Sequence, residues 1–195
     1  MFNGIITNTG KIINIITKNN NCSIKILSKL IFKKNDIGSS ISCSGVCLTL
    51  ENYNDNTLNF YLSKETLNKT IFKSSKKDDV INLERPIKFG DSMSGHFVQG
   101  HVDITSQVMK IVTLGKSRLI NFKLAKKFKK YIVQKGSIAI NGVSLTIAKI
   151  TKDGFQISIV PHTLKLTNLV MLKEKHWVNI EFDILGKYIK NFKES

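Results

Sequence analysis

Two prolines, one tryptophan, two arginines and three cysteines are all that 195 residues hold of these types. Each scarcity excludes something. Cys22, Cys43 and Cys47 are odd in number. The N-terminal MFNGIITNTGKI has no basic stretch leading into an apolar run and a small-residue cleavage site. The expectation is therefore a cytoplasmic chain with reduced thiols, without a secretory signal or a disulfide framework. No stretch approaches ~18 consecutive uncharged apolar residues, so neither a transmembrane helix nor a membrane partner is expected. With 42% apolar and 23% charged residues, the composition is that of a folded domain and not of a disordered chain.

Acidic residues are also few. Fourteen Asp and Glu face 30 Lys and Arg, for a net charge of +16. A basic surface is the usual footprint of nucleic-acid binding. Here, however, 28 of the cations are Lys, and only Arg85 and Arg118 carry the bidentate fork suited to phosphates and base edges. Ile and Asn are enriched together with Lys, a pattern of A/T-rich codon usage, and no nucleic-acid partner is expected. The cluster Lys123, Lys126, Lys127, Lys129 and Lys130 reads as the solvated face of a helix.

What the sequence does contain is itself, twice. Residues 40–51, SISCSGVCLTLE, align on residues 137–148, SIAINGVSLTIA, with six of twelve positions identical at a shift of 97. The same shift pairs Thr66-Leu67 with Thr163-Leu164, Thr70 with Thr167, Asn82 with Asn179, and Glu84 with Glu181. A shift of 96 pairs Gly4 with Gly100 and Thr9 with Thr105. The period is too long for a solenoid and defines two copies of one domain, joined near residues 86–97.

Each copy is strand-rich. Apolar and polar residues alternate in ITNTGKI, NCSIKIL, SISCSGVCLTL, TLNFYLS and DVINLE, and Asn54-Asp55-Asn56 and Lys152-Asp153-Gly154 read as turns. Many short, evenly spaced strands predict a small closed barrel per copy. A short helix is predicted near 65–72 and 162–169, the second begun by Pro161. Residues 184–193 place Leu185, Tyr188, Ile189 and Phe192 at helical spacing, with Lys187, Lys190 and Lys193 opposite. This amphipathic helix either packs back on its own barrel or against other subunits, and an apolar stripe without a second copy favours assembly. The expected organisation is mainly β: a barrel over 1–97, a barrel over 98–183 and an oligomerisation helix over 184–195.

Several chemistries are absent. There is no G-x-S-x-G, no Walker loop and no dinucleotide fingerprint. Cys43 and Cys47 read as residues on one face of one strand, and with His96 and His101 they match no metal spacing, so no metal site is expected. The signal lies between the copies. Cys47 or Ser144 stands two residues before Thr49 or Thr146, on one strand face, beside a glycine that admits a ligand to the backbone. Cys47 stands against Ser144, Glu65 against His162, and Ile5 against His101. Two sites with one binding frame but different reactive groups suit a reaction between two similar molecules. Taken singly, Phe2 reads as a buried strand end, His96 as structural and Trp177 as core.

The segments MFNGIIT, SCSGVCLTL, LSKETL, SGHFVQGHVD, GSIAINGVSLT and VPHTL, in this order over nearly the whole chain, resemble the riboflavin synthase alpha-chain family of lumazine-binding double barrels. The resemblance implies two tandem six-stranded antiparallel β-barrels with a C-terminal α-helix, assembled as a homotrimer. It implies a transferase that dismutates two molecules of 6,7-dimethyl-8-ribityllumazine into riboflavin and 5-amino-6-ribitylamino-2,4-pyrimidinedione by moving a four-carbon unit, without metal or redox cofactor. Lumazine synthase is a further partner consistent with it. It implies an N-terminal site of Gly4, Ile5, Ile6, Val46, Cys47, Leu48, Thr49, Tyr61, Leu62, Ser63, Lys64, Glu65 and Thr66. It implies a C-terminal site of Gly100, His101, Val102, Lys135, Ser144, Leu145, Thr146, Val160, Pro161, His162, Thr163, Leu164 and Lys165. The catalytic positions it implies are Phe2, Ser40, Cys47 and His101, with Thr49 and Thr146 beside them. The working site would lie between the N-barrel of one subunit and the C-barrel of the next. Asn3, Ser94 and Asn141 depart mildly from the family pattern, and the tail beyond Gly186 is short.

On this reading His101 or Ser40, with water, handles the first proton, and Cys47 or a water that it orients supplies the nucleophile. Most of the rate is assigned to positioning two rings face to face. Two rivals are a non-catalytic lumazine-binding antenna protein of the same fold and a basic nucleic-acid-binding barrel. Retention of Ser40, Cys47 and His101 favours the enzyme over the first. The second would need exposed aromatics on a strand face.

Overall fold

The computed structural model describes residues 1–18 and 21–194. The first copy supplies β1 (Asn8–Lys18), β2 (Asn21–Ser28), β3 (Ser40–Cys43), β4 (Val46–Asn54), β5 (Thr57–Leu62) and β6 (Val80–Glu84), with α1 (Lys64–Lys69) after β5. The second supplies β7 (Ile104–Leu114), β8 (Ser117–Lys123), β9 (Ser137–Ile140), β10 (Val143–Ile150), β11 (Gly154–Ile159) and β12 (Trp177–Phe182), with α2 (Pro161–Leu166) after β11. Helix α3 (Ile184–Glu194) follows.

Both sets close into six-stranded antiparallel barrels. The first runs β1-β2-β5-β4-β3-β6 and the second β10-β11-β8-β7-β12-β9, the same circuit entered at a different strand. Even the irregularities repeat. Register shifts at Ile12/Asn14 and Leu50/Asn52 recur at Val108/Lys110 and Ile147/Lys149. Such bulges bend a strand, which a six-stranded barrel needs in order to close. Inward residues such as Ile24, Leu50 and Phe60 fill one barrel, and Ile120, Ile147 and Phe155 fill the other.

The segment read as one strand, SISCSGVCLTL, is a hairpin. Ser44 and Gly45 turn it with φ of 45° and 79°, and Asn141 and Gly142 do the same at 46° and 77°. Two consecutive left-handed residues make the tight turn that matches strand twist. Cys43 therefore pairs with Val46, and Cys47 with Ser42, so the two thiols lie on different strands and opposite faces. Cys43 is fully buried and burial pushes its thiol well up, with Cys47 adding to the effect.

Repeated polar residues turn out to be builders. Thr70 and Thr167 each donate to a carbonyl one helical turn back and accept the amide two residues on. Asn82 donates to the Asn141 carbonyl (2.9 Å) in the other barrel, and Asn179 donates to that of Ser44 (2.9 Å). With Asn168, they tie the barrels together where the two hairpins meet.

One expectation needs correction, and two gain detail. Most of the Lys123–Lys130 cluster lies in a helix of the tighter 3-10 kind, Lys126–Tyr131, while Lys123 ends β8. Trp177 is not core, because it opens β12 with 54% of its surface exposed. In α3 it is the basic face that meets the barrel. Lys187 pairs with Asp103 at 2.7 Å, whereas Leu185, Tyr188, Ile189 and Phe192 are exposed. The side chain of Lys193 and all of Ser195 lie outside the described residues. Among the described residues, no helix is long and apolar enough to cross a membrane.

Candidate functional site

Strand β4 pairs with β3 along Ser40–Cys43, but with β5 only from Leu50 onward. The edge of Cys47–Thr49 that looks away from β3 is therefore a gap in the barrel wall. Residues 100–102, at the start of the second copy, fill part of it: the Cys47 amide donates to the Gly100 carbonyl at 2.8 Å. A Cβ on Gly100 would sit 2.6 Å from that of Cys47, and φ is +80°, so only glycine permits this approach. Val102 packs on the first barrel's core.

The second barrel is built in the same way with the roles exchanged. Ser144 donates its amide to the Gly4 carbonyl at 2.8 Å, a Cβ on Gly4 would lie 2.7 Å from that of Ser144, and Ile6 belongs to the second barrel's core. The two leading segments cross at a bridge between Phe2 and Val98, with amide-to-carbonyl distances of 2.7 and 3.0 Å. The grouping expected from the sequence is thus crossed. Gly4, Ile5 and Ile6 lie with Ser144, not Cys47; Gly100, His101 and Val102 lie with Cys47, not Ser144.

Alternation along β4 decides which groups face outward. Val46, Leu48 and Leu50 are buried, Cys47 is half-buried and Thr49 is exposed. On β3, Ser40 pairs with Thr49. Successive residues of a strand also send their backbone groups to opposite edges. Since Cys47 offers its amide to the Gly100 side, Thr49 turns its own N–H and C=O to that same open edge. Thr146 stands likewise two residues beyond Ser144. Each site thus combines a thiol or hydroxyl, a threonine, a backbone donor and a backbone acceptor on one edge. Ile5, His101, Tyr61, Val160, Pro161 and His162 are exposed, and Ile5 and His101 directly follow Gly4 and Gly100.

Other expected site residues have different surroundings. Phe2, Leu62 and Leu164 are buried, and Val46 and Leu48 point inward, so a ligand could reach only their backbones. Ser63 caps α1 by accepting the Thr66 amide, and Glu65 pairs with Lys69 at 2.9 Å. Thr163 offers its carbonyl to Thr167. Lys64, Lys135 and Lys165 are exposed, and Leu145 is half-buried.

Two features were given no such part by the sequence reading. His96 places Nδ1 2.7 Å from the Ser144 Oγ, and its Nε2 is buried with no hydrogen-bond partner among the described residues. Burial lowers its pKa, against a weaker upward pull from Asp183, so the ring is neutral near pH 7. A neutral imidazole held against a hydroxyl can take or return that proton. The second feature is a pair of buried carboxylates. Glu84 accepts the amides of Asn3 and Gly4, and Glu181 accepts those of Gln99, Gly100 and His101. The repeat contained this signal, since Glu84 and Glu181 match at the common shift.

The profile of the lumazine binding domain matches residues 3–86 and again residues 99–183. The chain belongs to the lumazine-binding-domain family, with two domains in tandem. Relatives over nearly its full length include riboflavin synthases. That of Actinobacillus pleuropneumoniae is 36% identical over 192 residues, which is 98% of this chain and 89% of the relative. That of Escherichia coli (strain K12) is 38% identical over 185 residues, covering 94% and 87%. That of Bacillus subtilis (strain 168) is 34% identical over 192 residues, covering 98% and 89%. Among solved structures, LumP complexed with 6,7-dimethyl-8-(1'-D-ribityl) lumazine is similar at TM-score 0.80 and 24% identity, over 93% of this chain and 98% of that one. LumP complexed with riboflavin gives 0.83 at 24% identity, over 93% and 99%. At this identity the likeness concerns the fold.

Proposed function

We propose that this chain is a riboflavin synthase. It takes two molecules of 6,7-dimethyl-8-ribityllumazine and moves a four-carbon unit from one to the other. The products are riboflavin and 5-amino-6-ribitylamino-2,4-pyrimidinedione, and together they account for every atom and electron of the two substrates. The observation that carries the reading is the duplicated edge, Cys47–Thr49 and Ser144–Thr146, in a chain that is 36–38% identical to riboflavin synthases over nearly its full length.

Each edge takes one lumazine. The backbone N–H and C=O of Thr49 or Thr146 match the alternating acceptors and donors of a pyrimidinedione ring, and the exposed residues of Tyr61–Thr66 and Val160–Lys165 flank the ribityl chain. The C7 methyl of lumazine is acidic because its carbanion delocalises into the ring. One molecule loses a proton there, and the other is attacked at C7 by a nucleophile. His101 and Ser40 stand for the proton step at the first edge, and Cys47, or a water that it holds, for the nucleophile. Ser144, backed by neutral His96, gives the second edge a different reactivity, so two identical substrates play two parts. Holding both rings in register supplies most of the rate, up to roughly 7–11 kcal/mol in favourable cases.

Both edges lie open on a single chain, and a closed site needs another wall. A second copy, with its C-terminal-half edge opposed to the N-terminal-half edge of the first, supplies it. The exposed stripe of α3 supports association of copies; on this reading they form a homotrimer in the cytoplasm, with lumazine synthase as a further partner. Nucleic acid and membranes are not partners on this reading. Incubation with 6,7-dimethyl-8-ribityllumazine alone tests it. Riboflavin and the pyrimidinedione should appear in equal amounts. Tight fluorescent binding without turnover would make the protein an antenna instead.

A further inference from the structure

The crossing of the two leading segments poses a physical problem. Residues 2–6 and 98–102 carry no regular secondary structure beyond one bridge, yet each must place a glycine within van der Waals contact of the opposite barrel's reactive residue. A segment without ladder partners leaves its amides unsatisfied, and an unsatisfied buried amide is costly. Both halves solve this in the same way. Glu181, at β12, receives the Gln99 amide on Oε1 at 2.7 Å and those of Gly100 and His101 on Oε2 at 2.9 and 3.0 Å. Glu84, at β6, receives Asn3 on Oε1 at 2.9 Å and Gly4 on both oxygens at 3.1 Å. Both glutamates are almost fully buried, at 2% and 4% exposure.

We infer that Glu181 and Glu84 are the positioning residues of the two sites, each clamping the backbone of one crossing segment so that Gly100–His101 sit against Cys47 and Gly4–Ile5 against Ser144. The inference deepens the proposed function by naming what sets its two half-sites. A hydrophobic anchor would hold the segment's depth but not its register. A carboxylate has two oxygens in a fixed fork and accepts only, so it fixes two or three consecutive N–H groups at once.

The environment fits this task. Burial raises both carboxyls to about 7, in spite of the amides, which favour the charged form. The charge acting on Glu181 is Lys187 of α3, which favours ionisation and is itself paired with Asp103. His101 lies in the clamped segment itself. Glu84 faces the N-terminal ammonium. Its neighbour Arg85 is turned away over the Phe32 ring. A protonated carboxyl gives up part of its acceptor capacity, so the clamp loosens as pH falls through about 7.

Cys47 reports on the clamp directly, since Gly100 covers it and the other two thiols are buried. The test compares wild type, E181Q and E84Q by the rate at which iodoacetamide labels Cys47, read by mass spectrometry of the full chain. At pH 8.5, where the carboxylate is ionised, E181Q should label at least tenfold faster than wild type, and E84Q at the wild-type rate. Wild type itself should label faster at pH 6 than the ionisation of a free thiol accounts for, and E181Q should not show that excess. Amide exchange at Gly100 should accelerate in E181Q, and at Gly4 in E84Q. In turnover, E181Q should lower kcat more than it raises KM and flatten the acidic limb near pH 7. Equal labelling of Cys47 in all three proteins, or equal acceleration in both variants together with an equal fall in Tm, would overturn the inference. The labelling arm needs no ligand. A wild type that labels as described but makes no riboflavin would refute the proposed function and leave the clamp standing.

Discussion

Gly45 and Gly142 face each other so closely that a Cβ on either would lie 2.7 Å from the other's amide nitrogen. The two hairpin turns thus meet back to back, at the point about which the two halves are related. Both residues also have φ near +78°, where an L side chain is strained. Gly45→Ala or Gly142→Ala combines left-handed strain of about 1–2 kcal/mol with a backbone clash. We expect a loss of at least about 2 kcal/mol for each in urea unfolding. A loss below about 0.5 kcal/mol would mean that the barrels do not meet there.

The thiol of Cys47 is half-buried beneath Gly100, close enough for a small change to be felt in chemistry without disturbing the frame. Cys47→Ser keeps shape and hydrogen bonding and loses the better nucleophile. Turnover should fall tenfold or more, and lumazine affinity, read by fluorescence titration, should stay within about threefold. Full activity would remove Cys47 from the reaction.

His96 and Ser144 make a corresponding prediction for the second half. If the 2.7 Å contact sets the reactivity of the hydroxyl, His96→Gln and Ser144→Ala should lower kcat by similar factors, and the double variant by little more than either alone. Multiplicative losses in the double variant would show that the two residues act separately.

Much of this architecture could be read from the sequence, and the exceptions have physical causes. A shift of 97 with matched Gly, Thr, Asn and Glu positions revealed two copies, and alternation revealed their strands. The hairpin turns at Ser44-Gly45 and Asn141-Gly142 were hidden because apolar residues continue on both sides of a two-residue turn, so SISCSGVCLTL reads as one strand. The crossing of residues 2–6 and 98–102 left no trace in the pattern. When two halves are alike, a segment that docks on its own barrel and one that docks on the twin have the same sequence. Trp177 is hard to read because its strand is apolar along its length, whereas its first residue lies outside the barrel. His96 was legible only as a histidine, since its partner Ser144 is 48 positions away.

Glu84 and Glu181 make stability depend on pH in a direction opposite to most carboxylates. Their pKa values rise from 4.5 unfolded to about 7 folded, so between these values the folded chain holds protons that the unfolded chain has released. Stability from these groups is complete below pH 4.5 and declines as pH rises through 7, by at most about 3 kcal/mol for each. The double variant E84Q/E181Q should therefore lose less stability than wild type between pH 5 and pH 8 in urea titrations. Parallel curves would show that the two carboxyls are not held in the raised state.

The apolar stripe of α3 faces outward. Leu185, Tyr188, Ile189 and Phe192 are between 57% and 77% exposed, and Tyr188 stacks on Phe192 with ring centroids 6.5 Å apart. The helix is anchored from its other side by Lys187 on Asp103, above a cavity of about 420 Å³ bordered by Phe128, Tyr131 and Phe182. An ion pair that holds the polar face down leaves the apolar face outward, the reverse of what burial within one chain would select. Four large side chains left in water in this way favour association by roughly 1.5–3 kcal/mol each when covered. Leu185→Ser with Ile189→Ser should shift the assembly toward monomer in sedimentation velocity, leave each barrel's amide protection intact, and lower turnover because the open edges lose their second wall. A variant that sediments as wild type would show that the stripe does not hold the copies together.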